Sequence, residues 1–117
     1  MTKFKNIRDF EKLSSAEEVI MKTIWDNGKE DIRLLQLISN LKENYGRDYA
    51  RTTVVTFIGK MAAKGYVTTY KIGKFSYVKA LVTEEAFKKD LLIRICEFWF
   101  AGDKDKMIEA ASNMYEK

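Results

Sequence analysis

Residues 50–65 read ARTTVVTFIGKMAAKG, and the fold turns on whether this stretch is a helix and on which of its sides is buried. At about 3.6 residues per turn, Val54, Phe57, Ile58 and Met61 fall on one side, while Thr53, Thr56, Lys60 and Ala63 follow the other. The second side is small and polar. Threonine hydroxyls hydrogen-bond phosphates or base edges, their methyls meet thymine methyls, and Gly59 and Ala63 leave room for a close approach. Arg51 and Thr52 stand at the N-terminal end, where free amides and the helix dipole help to hold a phosphate, and Lys60 and Lys64 are expected to reach the backbone. Threonine and valine are mediocre helix formers, so packing must hold such a helix together. Taken alone, the same face also fits a merely solvated surface.

Working outward, the chain has no proline, and glycines punctuate it. In LSSAEEVIMKTIWDNG (13–28), Ser14 with Glu17 reads as a capping box. Ala16, Ile20 and Ile24, with Met21 and Trp25, form the apolar stripe, and Gly28 closes this first helix. Asp31 is expected to cap a second helix, in which Leu34, Ile38, Leu41 and Tyr45 keep the helical period before Gly46. Gly65 ends the third. The texture then changes to YVTTYKIGKFSYVKALV (66–82), a β-hairpin pattern with a turn at IGK. Thr83, followed by Glu84 and Glu85, starts a fourth helix expected to run to about Ala101. Gly102 and Asp103 make a stop and a start, and Met107, Ala111 and Met114 line a last short helix.

Three helices followed by a two-stranded hairpin describe a winged helix, the helix-turn-helix variant whose third helix enters the major groove of DNA. The expected fold is therefore mainly α with a small β-hairpin. A winged helix-turn-helix domain spans 1–82, with a short N-terminal extension over 1–12, and a helical dimerisation region spans 83–117.

Composition narrows the function. A chain of 117 residues buries roughly two thirds of its unfolded surface, and 46% hydrophobic with 32% charged residues is the make-up of a globular protein. Cys96 is the single cysteine and there is no histidine, which excludes an internal disulfide framework and a conventional zinc site. No metal or cofactor is expected. The missing histidine, the lack of a nucleophile with a partner and the lack of a glycine-rich phosphate loop argue against an enzyme. The first 12 residues show no signal-peptide core, and no window approaches the ~20 apolar residues of a membrane span, so a reducing cytoplasm and no membrane partner are expected. Six of the 21 lysines and arginines, and none of the 17 acids, fall between Tyr49 and Thr83. That segment carries +6 and the rest of the chain −2, within a net charge of +4. A local field of this kind draws a polyanion. Lys71 and Lys74 flank the hairpin turn, where cations could clamp phosphate or probe a minor groove, although charges on a hairpin also discourage edge aggregation.

LSSAEEVIMKTIW, TTVVTFIGKMAAKGYV and KIGKFSYVKALVTEEA together resemble the penicillinase-repressor family of bacterial transcription regulators, the BlaI/MecI/CopY group. The resemblance runs from about Leu13 to the end of the chain, and its most specific piece is T-V-x-T-x-I-x-K-M-x-x-K-G over Thr53 to Gly65. It implies a homodimeric repressor on palindromic operators, with DNA contacts carried over to Arg51, Thr52, Thr53, Thr56, Lys60, Lys64 and Lys74. It also implies a sensor or protease that inactivates the repressor, though no scissile bond between Phe87 and Ala101 can be named. Two departures stand out. Glu18 occupies the position where family members usually carry a tryptophan, so its staple to Leu13 is missing and Phe4, Ile7 and Phe10 are expected to serve the entry instead. The paired cysteines of copper-responsive members are absent, which excludes copper sensing through that motif.

The fourth helix carries two apolar stripes, Phe87, Leu91, Ile95 and Phe98 beside Leu92, Cys96 and Trp99. They either close over their own chain or meet a second copy, and their place near the C-terminus, with Met107, Ala111 and Met114 beyond, favours the second copy. Cys96 reads as a small buried hydrophobe. The different-class alternative to a DNA-binding repressor is a winged helix used for protein or RNA interaction, since fold alone does not fix function.

Overall fold

The computed structural model describes residues 11–117 of the protein. Two compact units result, one of residues 11–84 and one whose described part is 85–117. In chain order the elements are α1 (Ser15–Trp25), β1 (Ile32–Arg33), α2 (Leu34–Tyr45), α3 (Arg51–Ala63), β2 (Val67–Ile72), β3 (Phe75–Ala80), α4 (Glu84–Trp99) and α5 (Lys104–Ser112). The first six make a winged helix. The expected extension falls, up to residue 10, outside the described residues, and with it the roles given to Phe4, Ile7 and Phe10.

The start of α1 is the capping box read from the sequence. The Glu17 N–H donates to Ser14 Oγ at 3.2 Å, and the Ser14 N–H donates back to Glu17 Oε1 at 2.7 Å, which satisfies two of the amides that a helix leaves orphaned at its N-terminus. Ile20, Met21 and Ile24 are buried, and the half-buried Trp25 donates its indole N–H to the carbonyl of Val82 at 2.9 Å. At the other end of α1, Lys22 lies 2.9 Å from Asp26 and 2.8 Å from Glu84, and the Tyr45 hydroxyl donates to Asp26. The hydrogen bonds that the Lys22 ammonium donates to Glu84 and Asp26 push it above its ordinary range. The bond to Asp26, joined by burial, likewise raises the Tyr45 hydroxyl.

Asp31 does not cap α2. Its N-cap is Arg33, which makes no side-chain capping bond, because Ile32 and Arg33 are drawn into a sheet ladder opposite Val78 and Tyr77. The Asp31 carboxylate instead accepts the Tyr70 hydroxyl at 2.7 Å. Leu34, Leu37 and Leu41 form the buried edge of α2, and Gly46 ends it at φ 66°, a backbone angle open to glycine at little cost. The end of α3 is sharper. The Gly65 N–H bonds the carbonyl of Ala62 and the Tyr66 N–H that of Met61, both at 3.0 Å, with Gly65 at φ 84°. This pair of bonds is a Schellman stop, and it swings Tyr66 into the core. Its ring is 1% exposed and its hydroxyl donates to the carbonyl of Glu11 at 2.6 Å.

β2 and β3 pair from Val67 opposite Ala80 to Ile72 opposite Phe75, leaving Gly73 and Lys74 as a two-residue turn. Gly73 sits at φ 60° and Lys74 is not among the positive-φ residues, the type II′ pattern that suits a twisted hairpin. The sheet has three strands in the order β1-β3-β2, one more than the sequence indicates. Side chains alternate across it. Ile32, Val67 and Val78 face the helices and are buried, while Tyr70 and Tyr77 stack on the other face with ring centroids 5.3 Å apart. Val54, Ile58 and Met61 of α3 complete the core with Leu13 and the buried residues of α1 and α2.

In the second unit, α4 ends at Trp99, short of the expected Ala101. Ala101 lies at φ 51° and Gly102 at φ 79°, a reversal that helical backbone cannot make. Asp103 then caps α5, accepting the Lys106 N–H at 3.1 Å. Among the described residues, no helix is long and apolar enough to cross a membrane.

Candidate nucleic-acid interface

Burial divides α3 as its period demands. Val54, Ile58 and Met61 are buried and Phe57 is half-buried, whereas Arg51, Thr52, Thr53, Thr56, Gly59, Lys60 and Ala63 are exposed. The Thr56 hydroxyl donates back to the Thr52 carbonyl at 2.9 Å, and the residue is exposed. Phe57 sits against Tyr49, ring centroids 5.8 Å apart, and Lys60 Nζ lies 6.0 Å from the same ring, within reach of a cation–π attraction. No acidic side chain lies on the helix.

Because β2 packs on α3, the hairpin stands beside this helix. Lys71 belongs to the helix-facing side of the hairpin by its register with Ser76, Lys74 occupies the turn, and both are exposed. Lys74 Nζ lies 5.7 Å from the centroid of the Phe75 ring. Arg33 Cζ stands 3.9 Å over the same ring. The sequence reading does not contain Arg33, because its position beside the wing depends on the two-residue strand β1, too short to show a period. Val55, 49% exposed at the edge of the outward face, is also absent from it.

Lys64, expected to reach the DNA backbone, also has a role inside the fold. Its Nζ is 2.7 Å from Glu17 Oε1 and donates to the Lys12 carbonyl at 2.9 Å. Glu17 is buried. Burial alone would push its carboxyl up, but the hydrogen bond from Lys64, and then those from Ser14, hold it below its ordinary value. One carboxylate thus joins the α1 capping box to the end of α3, and the ammonium that serves it is engaged within the fold. Arg51, Lys60, Lys71, Lys74 and Lys79 are the exposed cations of the basic segment.

In the second unit, Leu91, Leu92, Phe98, Trp99 and Met114 are exposed, Trp99 to 73%, while Phe87, Ile95, Cys96 and Met107 are half-buried and Ala111 is exposed. Phe98 and Trp99 meet edge to face at 5.0 Å. Ile108, exposed on α5, joins the apolar set without having been read from the sequence. Among the described residues, no group of three or more His, Cys, Asp or Glu side chains is placed to hold a metal ion.

A third helix with an acid-free, small-residue face and a lysine-tipped hairpin beside it is the arrangement of a winged-helix DNA-binding domain. The chain belongs to the penicillinase repressor family, whose pattern matches residues 13–115, and it is a DNA-binding transcriptional regulator of that family. No curated relative matches the chain. Among solved structures, the solution structure of the DNA-binding domain of the repressor BlaI superposes with a TM-score of 0.55 at 22% identity, over 68% of this chain and 92% of that one. The complex structure of hsRosR-S1 superposes at 0.54 with 19% identity, over 86% and 88%. At these identities the likeness is one of fold. The family and the fold are those of transcriptional repressors, which are not enzymes.

Proposed function

We propose that the protein is a homodimeric repressor that acts in the cytoplasm by occupying a palindromic operator, without catalysing any chemistry. Arg51, Thr52, Thr53, Thr56 and Lys60 of α3 enter the major groove and its phosphate walls, and Lys71 and Lys74 of the wing hold the flanking backbone. The observation that carries this reading is the outward side of α3, where hydroxyls, a glycine, an alanine and cations lie exposed with no acid among them. A merely solvated helix has no reason to exclude acids over the 35 residues between Tyr49 and Thr83.

The exposed apolar residues of α4 and α5 supply the second requirement. Leu91, Leu92, Phe98, Trp99 and Met114 cost free energy in water, and pairing with a second copy covers them. Phe87, Ile95, Met107 and Ala111 complete the pairing surface. Two reading heads held together bind two half-sites far more tightly than either alone, so a sensor or protease that breaks the pairing releases the operator. Selection of duplexes from a random library, followed by gel shift, tests the proposal. A palindrome with half-sites one helical turn or a multiple apart is expected; a folded, dimeric protein that enriches no sequence contradicts it.

A further inference from the structure

Two residues of α3 have no explanation within the fold. Gly59 lies in the middle of the helix, where glycine costs about 1 kcal/mol relative to alanine. It is absent from the positive-φ glycines, and a Cβ built on it meets nothing within 4 Å. Neither backbone conformation nor crowding inside the chain asks for it. Val55, four residues earlier, is the second. It is a β-branched side chain, 49% exposed, where an arginine, lysine or glutamate would hold a helix better. Residues four apart stand one above the other on a helix. The isopropyl group of Val55 therefore borders the gap left by Gly59, with Thr52 on the preceding turn and Thr56 beside it.

Resting on the reading of α3 as the groove-binding helix, we propose that Val55 and Gly59 form the specificity-determining notch of the protein, which receives the 5-methyl group of a thymine. In the major groove the thymine methyl is the one apolar feature of the base-pair edges. Val55 offers it two methyl groups and no competing hydrogen bond, and the missing Cβ at Gly59 lets the base edge come close enough to bury it. Each half-site then holds one thymine that is chosen by contact with carbon and not by a hydrogen bond. The neighbouring Thr52, Thr56 and Lys60 orient the duplex around that contact.

The test uses the full-length protein and the duplex it selects. Each thymine is replaced in turn by deoxyuridine, which removes the methyl and leaves the base pairing unchanged, and affinity is read by fluorescence anisotropy at fixed salt. At one thymine per half-site, the loss of the methyl should weaken binding about fourfold, the worth of one buried methyl group. Val55→Ala should bind the thymine and uracil duplexes equally. Gly59→Ala should melt no lower than the parent, since it improves helix propensity, and yet bind the thymine duplex more weakly. Loss of discrimination in Val55→Ala with the fold intact supports the notch. Equal binding of thymine and uracil at every position by the parent protein overturns it while leaving DNA binding in place, and so does discrimination that survives Val55→Ala. If no duplex is selected at all, the notch falls together with the function on which it rests.

Discussion

Replacing Lys64 with methionine keeps the length of the side chain and removes the ammonium that neutralises Glu17. Glu17 is 1% exposed, so an unpaired carboxylate would remain inside the fold. Breaking a buried pair in this way costs about 3–5 kcal/mol. Here the Lys64 side chain is 24% exposed and Glu17 keeps its capping-box bonds to Ser14, which places the expected cost at about 2–3 kcal/mol and the fall in Tm at roughly 10 °C. The pH dependence identifies the cause. In the parent, the folded-state pKa of Glu17 lies below its ordinary 4.5, so the unfolded chain binds the extra proton. The stabilising contribution is complete above that value and is lost as the pH falls through the folded-state pKa. Without Lys64, burial dominates and the carboxyl is pushed up, so the deficit of the variant should be widest at neutral pH and should narrow through the carboxylate range. Urea unfolding followed by circular dichroism across that range measures both quantities. A loss below about 0.5 kcal/mol, or a deficit independent of pH, refutes the role given to the pair. If instead DNA affinity alone fell and its salt slope dropped by about one unit, Lys64 would be a phosphate contact.

Lys60→Glu places an acid on the exposed face and should abolish operator binding in a gel shift while leaving the unfolding curve within about 0.5 kcal/mol of the parent. Unchanged affinity would count against the assigned face. Trp99→Glu puts a charge on a side chain that is 73% exposed in the single chain. Sedimentation equilibrium should show a monomer, with operator affinity down by about 10²-fold or more, and a dimer of unchanged affinity would remove α4 from the interface. Gly65→Ala forces an L-residue to φ 84° and should destabilise the domain by about 1–2 kcal/mol in urea unfolding; a neutral result would mean that the chain after α3 relaxes to another turn.

Much of this architecture is legible in the sequence because it is set by neighbours along the chain. The box of Ser14 and Glu17, the stops at Gly46 and Gly65 and the turn at Gly73 each depend on residues within one helical turn or one hairpin. What the sequence does not show depends mostly on partners far away along the chain. Asp31 has the right position and chemistry for a cap, but the ladder between Ile32 and Val78 sets the start of α2 two residues later. The ion pair of Lys64 with Glu17 joins residues 47 apart in the chain, and no periodicity reports such a pairing. Arg33 reaches the wing only through that same unseen strand. Val55 is hidden for a different reason: an apolar residue beside a buried one looks like core until its exposure is known. The exposed stripes of α4 were visible as excess hydrophobicity, but the sequence could not show that Leu92, Phe98 and Trp99 lie exposed while Ile95 and Cys96 are half-buried.

The central claim is that the outward face of α3 and the wing bind duplex DNA with sequence preference, and the affinity of the full-length protein for its selected duplex across a salt series tests it most directly. With eight to ten phosphates neutralised by the exposed cations of two copies, log K should fall against log salt with a slope of about −7 to −9. A shuffled duplex should bind about 10³-fold more weakly at physiological salt. A shallow slope, or equal affinity for the selected and shuffled duplexes, would contradict the account.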